Sequence, residues 1–375
     1  MLDILRESVS ALLGSFTQLT LGQVLMWCIG GILIYLAIKK EMEPTLLLPM
    51  GFGTILVNIP MVDAITEHGP LTTLFNAGIA NELFPLLLFI GIGAMIDFGP
   101  LLSNPKLLLF GAAAQFGIFF TLVLANGVFG FPVNDAASIG VIAAADGPTA
   151  IFVANTLQSQ YGGAIIVAAY SYMALVPIIQ PPVIKLLTTK KERLIRMPYK
   201  PGEVSKTTRI LFPIVITMIA AMVAPLSASL VFFLMFGNLI RECGVLDSLS
   251  ETAQKVLANL VTIFLGISVA LQMQAEKFLV LETLMILALG LFGFVFDTFG
   301  GVMFAKFLNI FSKSKINPMI GAAGISAFPM SARVVHKMGL QEDDQNFLLM
   351  HSIGVNVSGQ IASVIAGGLI LTFFG

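Results

Sequence analysis

The sequence predicts an all-α polytopic membrane protein built from two inverted-topology repeats, each with about five crossings and one re-entrant or broken helical segment. Three observations predict it. The 375-residue chain is 57% hydrophobic and only 11% charged, where soluble domains carry about 25% charged residues. Apolar stretches comparable to the roughly 20 residues that cross a bilayer as helix recur along its whole length, in two sets of six around a single polar linker. The residue order of the first set returns in the second. The short alternating segments of a membrane β-barrel do not occur.

Residues 1–21 place Asp3, Arg6 and Glu7 on one side of a short apolar segment. They are expected to form an amphipathic N-terminal helix, and they lack the basic start and small-residue cleavage site of a signal peptide. The first membrane repeat follows over 22–188, with apolar segments at 22–38, 44–60, 82–97, 107–130, 137–156 and 163–188. The linker, 189–209, carries Lys190, Lys191, Arg193, Arg196, Lys200, Lys206 and Arg209, which the positive-inside bias places in the cytoplasm. The second repeat, 210–375, has apolar segments at 210–224, 226–240, 256–272, 279–310, 317–335 and 346–374.

The duplication is visible residue by residue. FGTILVNIPMVDAITE from Phe52 aligns with FGNLIRECGVLDSLSE from Phe236, and FIGIGAMI from Phe89 with FLGISVAL from Phe264. IAAADGPTAIF from Ile142 aligns with IGAAGISAFPM from Ile320, and Gln180 with Gln360. Lys39 and Lys40 put the first short loop inside, and the acidic loop with Asp63, Glu67 and Glu82 belongs outside. Counting from there, the linker reaches the cytoplasm only if 137–156 dips in from the outer face and returns. The same count makes 317–335 enter from the cytoplasm, which inverts the second repeat. Paired Gly/Pro-interrupted segments in inverted repeats point to a transport site near mid-membrane, where unpaired backbone is tolerated only against protein or water.

Several function classes are excluded. Two cysteines give no disulfide framework, and the three histidines have no zinc-ligand spacing. No phosphate-binding loop for ATP occurs, and a net charge of −1 implies no nucleic-acid partner.

The chemistry concentrates at the interruptions. Asp146 sits in an apolar run just before Gly147-Pro148. An ionisable group inside a membrane segment marks an ion or proton site, and its oxygens suit a hard cation. Capping of the following half-helix is the structural alternative. Thr149, about a turn on, adds an oxygen. The matching segment, INPMIGAAGISAFPMSARVV, has Gly324 where the first has its acid, so neutral oxygens come from Asn317 and Ser326. Arg333 either holds a carboxylate or repels a cation toward exit, or else snorkels at the cytoplasmic interface. The last segment holds His351, Ser352, Asn356, Ser358 and Gln360. Asn356 and Gln360 share a face, with Asn356 and Ser358 as candidate ligands and helix–helix hydrogen bonding as the alternative. His351 reads as structural. Tyr172 either relays a proton or orients Asp146, with an interfacial tyrosine as the alternative. Asp297 is a further deep acid, read either as a second ion or proton ligand or as part of a polar seam. Asp97 reads as a boundary charge.

AAADGPTAIF followed by NPMIGAAGISAFPMSARV resembles the integral-membrane beta subunit of the sodium-pumping biotin-dependent decarboxylases, which serve oxaloacetate, methylmalonyl-CoA, glutaconyl-CoA and malonate. The resemblance covers nearly the whole chain. It implies a subunit of a bacterial cytoplasmic-membrane complex that decarboxylates carboxybiotin and exports Na+ while consuming a proton. Biotin would be carried on a partner protein, and a carboxyltransferase, a biotin carrier and a small membrane-anchor subunit would be its partners in an oligomer. The family's essential aspartate would be Asp146 and its tyrosine Tyr172. Its second-motif residues would be Asn317, Gly321, Ser326 and Arg333, with Asn356 in the last helix. Na+ would bind Asp146, Thr149, Asn317, Gly321, Ser326, Asn356 and Ser358, and Arg333 would meet the carboxybiotin carboxylate. The chain's shortness leans toward an acyl-CoA decarboxylase. A Na+-coupled secondary transporter of an organic anion is the alternative reading.

Overall fold

The computed structural model describes residues 14, 17–199 and 202–375. The expected amphipathic helix over 1–21 lies mostly outside the described residues. Those described are helical, with no strand among them. Seven helices are long and apolar enough to cross a membrane, or up to eight if a bent pair is one span. Pro44–Val57 and Val133–Ala144 are shorter apolar helices.

The chain forms two compact units, each drawing on both halves of the sequence. One comprises Met1–Phe84 and Asn259–Leu284; the other comprises Pro85–Ala258 and Met285–Gly375. In the first unit, α1 (Leu21–Lys40) starts at a Thr20–Gln23 capping box and ends on Lys39 and Lys40, charges that suit a helix C-terminus. Its partner α2 (Pro44–Val57) begins with proline in the first turn, where the missing N–H costs nothing. Gly30 and Gly51 let the two backbones touch: a Cβ on either would lie 2.7 Å from the other's carbonyl oxygen. Asn58 donates to Met273 O and accepts from Ala275 N, both at 2.8 Å.

The second unit contains both interrupted segments. Its helices include α3 (Leu108–Ala114) and α4 (Phe116–Gly127), separated at Gln115, then α5 (Val133–Val141) and α6 (Gly147–Thr156). Next come α7 (Gly162–Leu187), α8 (Lys206–Val223) and α9 (Ala228–Glu242), followed by most of α10 (Leu281–Phe311). A 3₁₀ turn over Pro318–Gly324 leads to α11 (Met330–Glu342) and α12 (Leu349–Phe374). The segment expected at 137–156 is a helix pair, α5 and α6, joined by a 3₁₀ turn at Ile142–Ala144 and left-handed Ala145. The segment expected at 317–335 is the 3₁₀ turn, extended Ile325 and α11, with a cis peptide before Pro329. All residues of 135–154 and of 317–327 are buried. Irregular backbone is thus covered by protein, the condition for keeping it at membrane depth.

The linker is tied to this unit by ion pairs. Arg193 meets Glu342 at 2.6 Å, Arg196 meets Asp343 at 2.5 Å, and Glu192 meets Lys306 at 3.1 Å. Ser205 caps α8, so that helix starts at Lys206, slightly before the expected linker boundary.

Candidate functional site

Two prolines open the two segments, and side chains from elsewhere fill what they leave. Pro148 has no N–H, so the carbonyl of Ala144, four residues earlier, loses its helical partner. Ser326 supplies both replacements: its amide reaches Ala144 O at 3.1 Å and its hydroxyl at 2.8 Å. In a helix that amide would serve Ala322 O. The orphaned Ala322 O accepts instead from Gln180 Nε2 at 2.7 Å and Ser331 Oγ at 3.1 Å. Pro329 likewise frees Ile325 O, which accepts from Asn356 Nδ2 at 2.7 Å. The two interruptions therefore meet at the Ala144–Ser326 contact.

Asp146 stands next to that contact, 3% exposed, as the N-cap of α6. Its Oδ2 accepts from Thr149 Oγ1 at 2.7 Å, Ser363 Oγ at 2.7 Å and Gln360 Nε2 at 3.2 Å. Its Oδ1 faces Thr149 N at 3.5 Å. Asn356, Gln360 and Ser363 fall at i, i+4 and i+7 of α12, one helical face. That face also carries the glycines that bring α12 close. A Cβ on Gly359 would lie 2.1 Å from Gly324 O, and one on Gly367 2.7 Å from Thr149 Cγ2. The last helix thus crosses both interruptions and delivers its amides and hydroxyl to them. Capping and ion binding are compatible, since the same carboxylate does the first and is oriented for the second.

The arrangement suits a small hard cation. One carboxylate, two hydroxyls and an amide lie together, and each neutral group can present an oxygen by rotating. Oxygen ligands without a nitrogen or sulfur donor are the set for alkali and alkaline-earth ions rather than transition metals. No group of three or more His, Cys, Asp or Glu side chains placed to hold a metal ion occurs among the described residues.

Ser326 and Asn356 adjoin Asp146 through the backbone of the two interruptions, and Asn356 Oδ1 is buried without a hydrogen-bond partner among the described residues. The other expected residues face elsewhere. The Tyr172 hydroxyl donates to Leu287 O on α10. Tyr170, two residues earlier, lies against the site instead: a Cβ on Gly147 would be 2.3 Å from its ring, and its hydroxyl has no hydrogen-bond partner among the described residues. Asn317 caps the 3₁₀ turn and donates to Arg193 O and Ile195 O at 2.9 Å, fastening the linker. Gly321 packs backbone to backbone on Gly301. The Ser358 hydroxyl returns to Val355 O at 2.6 Å. Arg333 is exposed on the first turn of α11. His351 bonds Met197 O at 3.1 Å and stacks edge-on with Tyr199, a linker contact. Asp97 pairs with Arg209 at 3.3 Å.

Sequence reasoning missed Tyr170 and Ser363 and did not connect Gln360 to Asp146. The signal available for Ser363 was its i+7 place after Asn356. Tyr170 carried none, because its role rests on a glycine across the site.

Comparison with known proteins identifies the family. Residues 22–374 match the family described as the Na+-transporting oxaloacetate decarboxylase beta subunit. The methylmalonyl-CoA decarboxylase subunit beta of Propionigenium modestum is 48% identical over 385 aligned residues, covering 96% of this chain and 97% of its own. The glutaconyl-CoA decarboxylase subunit beta of Acidaminococcus fermentans is 48% identical over 360, covering 96% and 95%. The oxaloacetate decarboxylase beta chain of Klebsiella pneumoniae is 44% identical over 429, covering 98% and 99%. A carboxylate held by hydroxyls and amides at two broken membrane segments thus belongs to a chain matched end to end by these subunits, and the protein is a member of the Na+-transporting decarboxylase beta-subunit family.

Proposed function

We propose that Asp146, Thr149, Gln360 and Ser363 bind the transported Na+, with Ser326 and Asn356 completing the site, and that this chain couples Na+ export to decarboxylation of carboxybiotin on a partner protein. The observation that carries the reading is the convergence of three side-chain donors on the Asp146 carboxylate where the interruptions meet. The carboxylate takes Na+ or a proton, not both, so a change of side exchanges one for the other.

Bound carboxybiotin supplies the carboxyl group that departs as CO2, leaving a ring nitrogen that must gain a proton. The residues fit such a group: Arg333 is an exposed guanidinium beyond the second interruption, with no ion pair among the described residues. A guanidinium suits a carboxylate. Arg333 orients that carboxylate, while Asp146 gives up a proton as it takes Na+.

The same reading includes a carboxyltransferase, a biotin carrier and a small membrane-anchor subunit as partners, in a bacterial cytoplasmic membrane. The inverted arrangement of the repeats belongs to it as well. Its support is the matched role of Gln180 and Gln360, each reaching from a continuous helix to an interruption contributed by the other half of the sequence. The shorter alignments and higher identity with the acyl-CoA decarboxylase subunits support an acyl-CoA substrate for the complex.

Asp146→Asn tests the proposal in the purified complex reconstituted into vesicles. Na+-dependent decarboxylation and Na+ uptake are both expected to disappear; retained Na+ pumping overturns it. Isolation without any biotinylated partner would favour the organic-anion carrier.

A further inference from the structure

Asp297 lies in the middle of α10, 0% exposed, and neither carboxyl oxygen has a side-chain hydrogen-bond partner among the described residues. The amides of Gly117 and Ile118, at the start of α4 just past the Gln115 break, point toward it. A Cβ on Gly117 would lie 2.4 Å from Asp297 Oδ1. One turn along both helices, Thr121 Oγ1 is also buried without a partner, 2.4 Å from where Gly293 would carry a Cβ.

The surroundings contain no compensating charge. Gly293 of α10 packs on Ala143 of the first interruption, Gly300 on Ala113 of α3, and Gly301 on Gly321 of the second interruption. The elements packed there (Leu108–Ala114, Phe116–Gly127, Ile142–Ala144 and Pro318–Gly324) contain no Asp, Glu, Lys, Arg or His. An ionised carboxylate so enclosed is costly unless a cation joins it. Two backbone amides turn toward this carboxyl, but no side chain or charge among the described residues partners it, and an unpaired hydroxyl lies one turn away. Its place on α10 is one turn from the contact with the first interruption and one turn from the contact with the second.

We infer that Asp297, with the Thr121 hydroxyl, is a second exchangeable monovalent-cation site, holding either a proton or Na+ and sensing both interruptions through Gly293 and Gly301. Exchange is balanced: one H+ leaves the carboxyl as one Na+ enters, so the buried charge stays zero. A shift of either interruption moves α10 by contact and so changes the oxygens available to the ion. This deepens the reading of Asp146 as the first site and rests on it.

The test uses the whole complex, wild type, Asp297→Asn and Thr121→Val, with Na+ replaced by choline as the reference. Infrared difference spectra follow the protonated-carboxyl stretch, and decarboxylation is measured against Na+ concentration and pH. A band lost on adding Na+, absent in Asp297→Asn, identifies exchange with Na+. A band that responds to pH but not to Na+ overturns the exchange. With exchange, Asp297→Asn reduces the steepness of the Na+ curve. Thr121→Val keeps the carboxyl and shifts the Na+ midpoint upward, which serves if Asp297→Asn does not fold. A band insensitive to Na+ and pH, with unchanged curves in both variants, overturns the inference while leaving Asp146 intact. If wild-type decarboxylation is itself indifferent to Na+, the first-site reading fails instead.

Discussion

A side chain at position 147 would strike the Tyr170 ring at 2.3 Å, so glycine there serves packing as much as the turn. Overpacking of this kind costs about 1–3 kcal/mol. Gly147→Ala is expected to insert in the membrane but lower Na+-dependent decarboxylation and thermal stability together, read by a melting curve of the detergent-solubilised complex. Ser363→Ala removes one of the hydroxyls on Asp146. Hydrogen bonds to charged groups contribute about 1.5–3 kcal/mol, so the Na+ midpoint for activity is expected to rise by about tenfold or more; an unchanged midpoint would remove Ser363 from the site. At this scale the sequence was readable where a residue broke a local rule. Asp146 in an apolar run and the polar face of α12 both stood out. Side-chain direction was not readable. Tyr170 and Tyr172 have similar local surroundings in the sequence, yet one ring packs on Gly147 and the other hydroxyl reaches Leu287. Asn317 was expected at the ion; it caps the 3₁₀ turn and donates to the linker carbonyls of Arg193 and Ile195.

Each interrupted segment is stabilised by what its proline excludes. Restoring an N–H at 148 lets the chain continue as helix through the break, where Ala144 O would be paired within that helix, in competition with Ser326. Pro148→Ala is therefore expected to speed hydrogen exchange at the Ser326 amide and to weaken coupling, as measured by Na+ uptake per CO2 released. Slow exchange at Ser326 in that variant would show that the contact does not depend on the proline. The repeat alignment set these segments opposite one another, with Gly324 in the place of Asp146 and Ser326 in the place of Pro148. It did not anticipate their direct pairing, which depends on tertiary packing by α12.

For the molecule as a whole, composition settled the class: a chain with so few charges has little beyond a bilayer in which to place its surface. Apolar stretches did not settle the number of spans, because several fold as short or broken helices rather than crossings. The cytoplasm-predicted linker proved to be a strap held by ion pairs. Its Arg196 side chain, by hydrogen bonding Asp343, holds that carboxyl below its ordinary value of 3.8. A depressed carboxyl pKa stabilises above the ordinary value and loses its effect as pH falls through the lowered one. Limited proteolysis across the linker is thus expected to be insensitive to pH near neutrality and to accelerate only in strong acid, and Arg196→Ala is expected to accelerate it at neutral pH.

The exchange between Pro148 and Ser326 also sets an order of events during synthesis. When the ribosome has made the first interruption, the carbonyl of Ala144 has no partner and the acid beside it lacks Gln360 and Ser363, which are translated last. The nascent chain must shelter an open backbone group and a carboxyl until the final helix arrives. Two fragments cut in the linker and produced together should therefore reassemble into a working subunit, whereas the first fragment alone should be degraded, a difference visible by immunoblot.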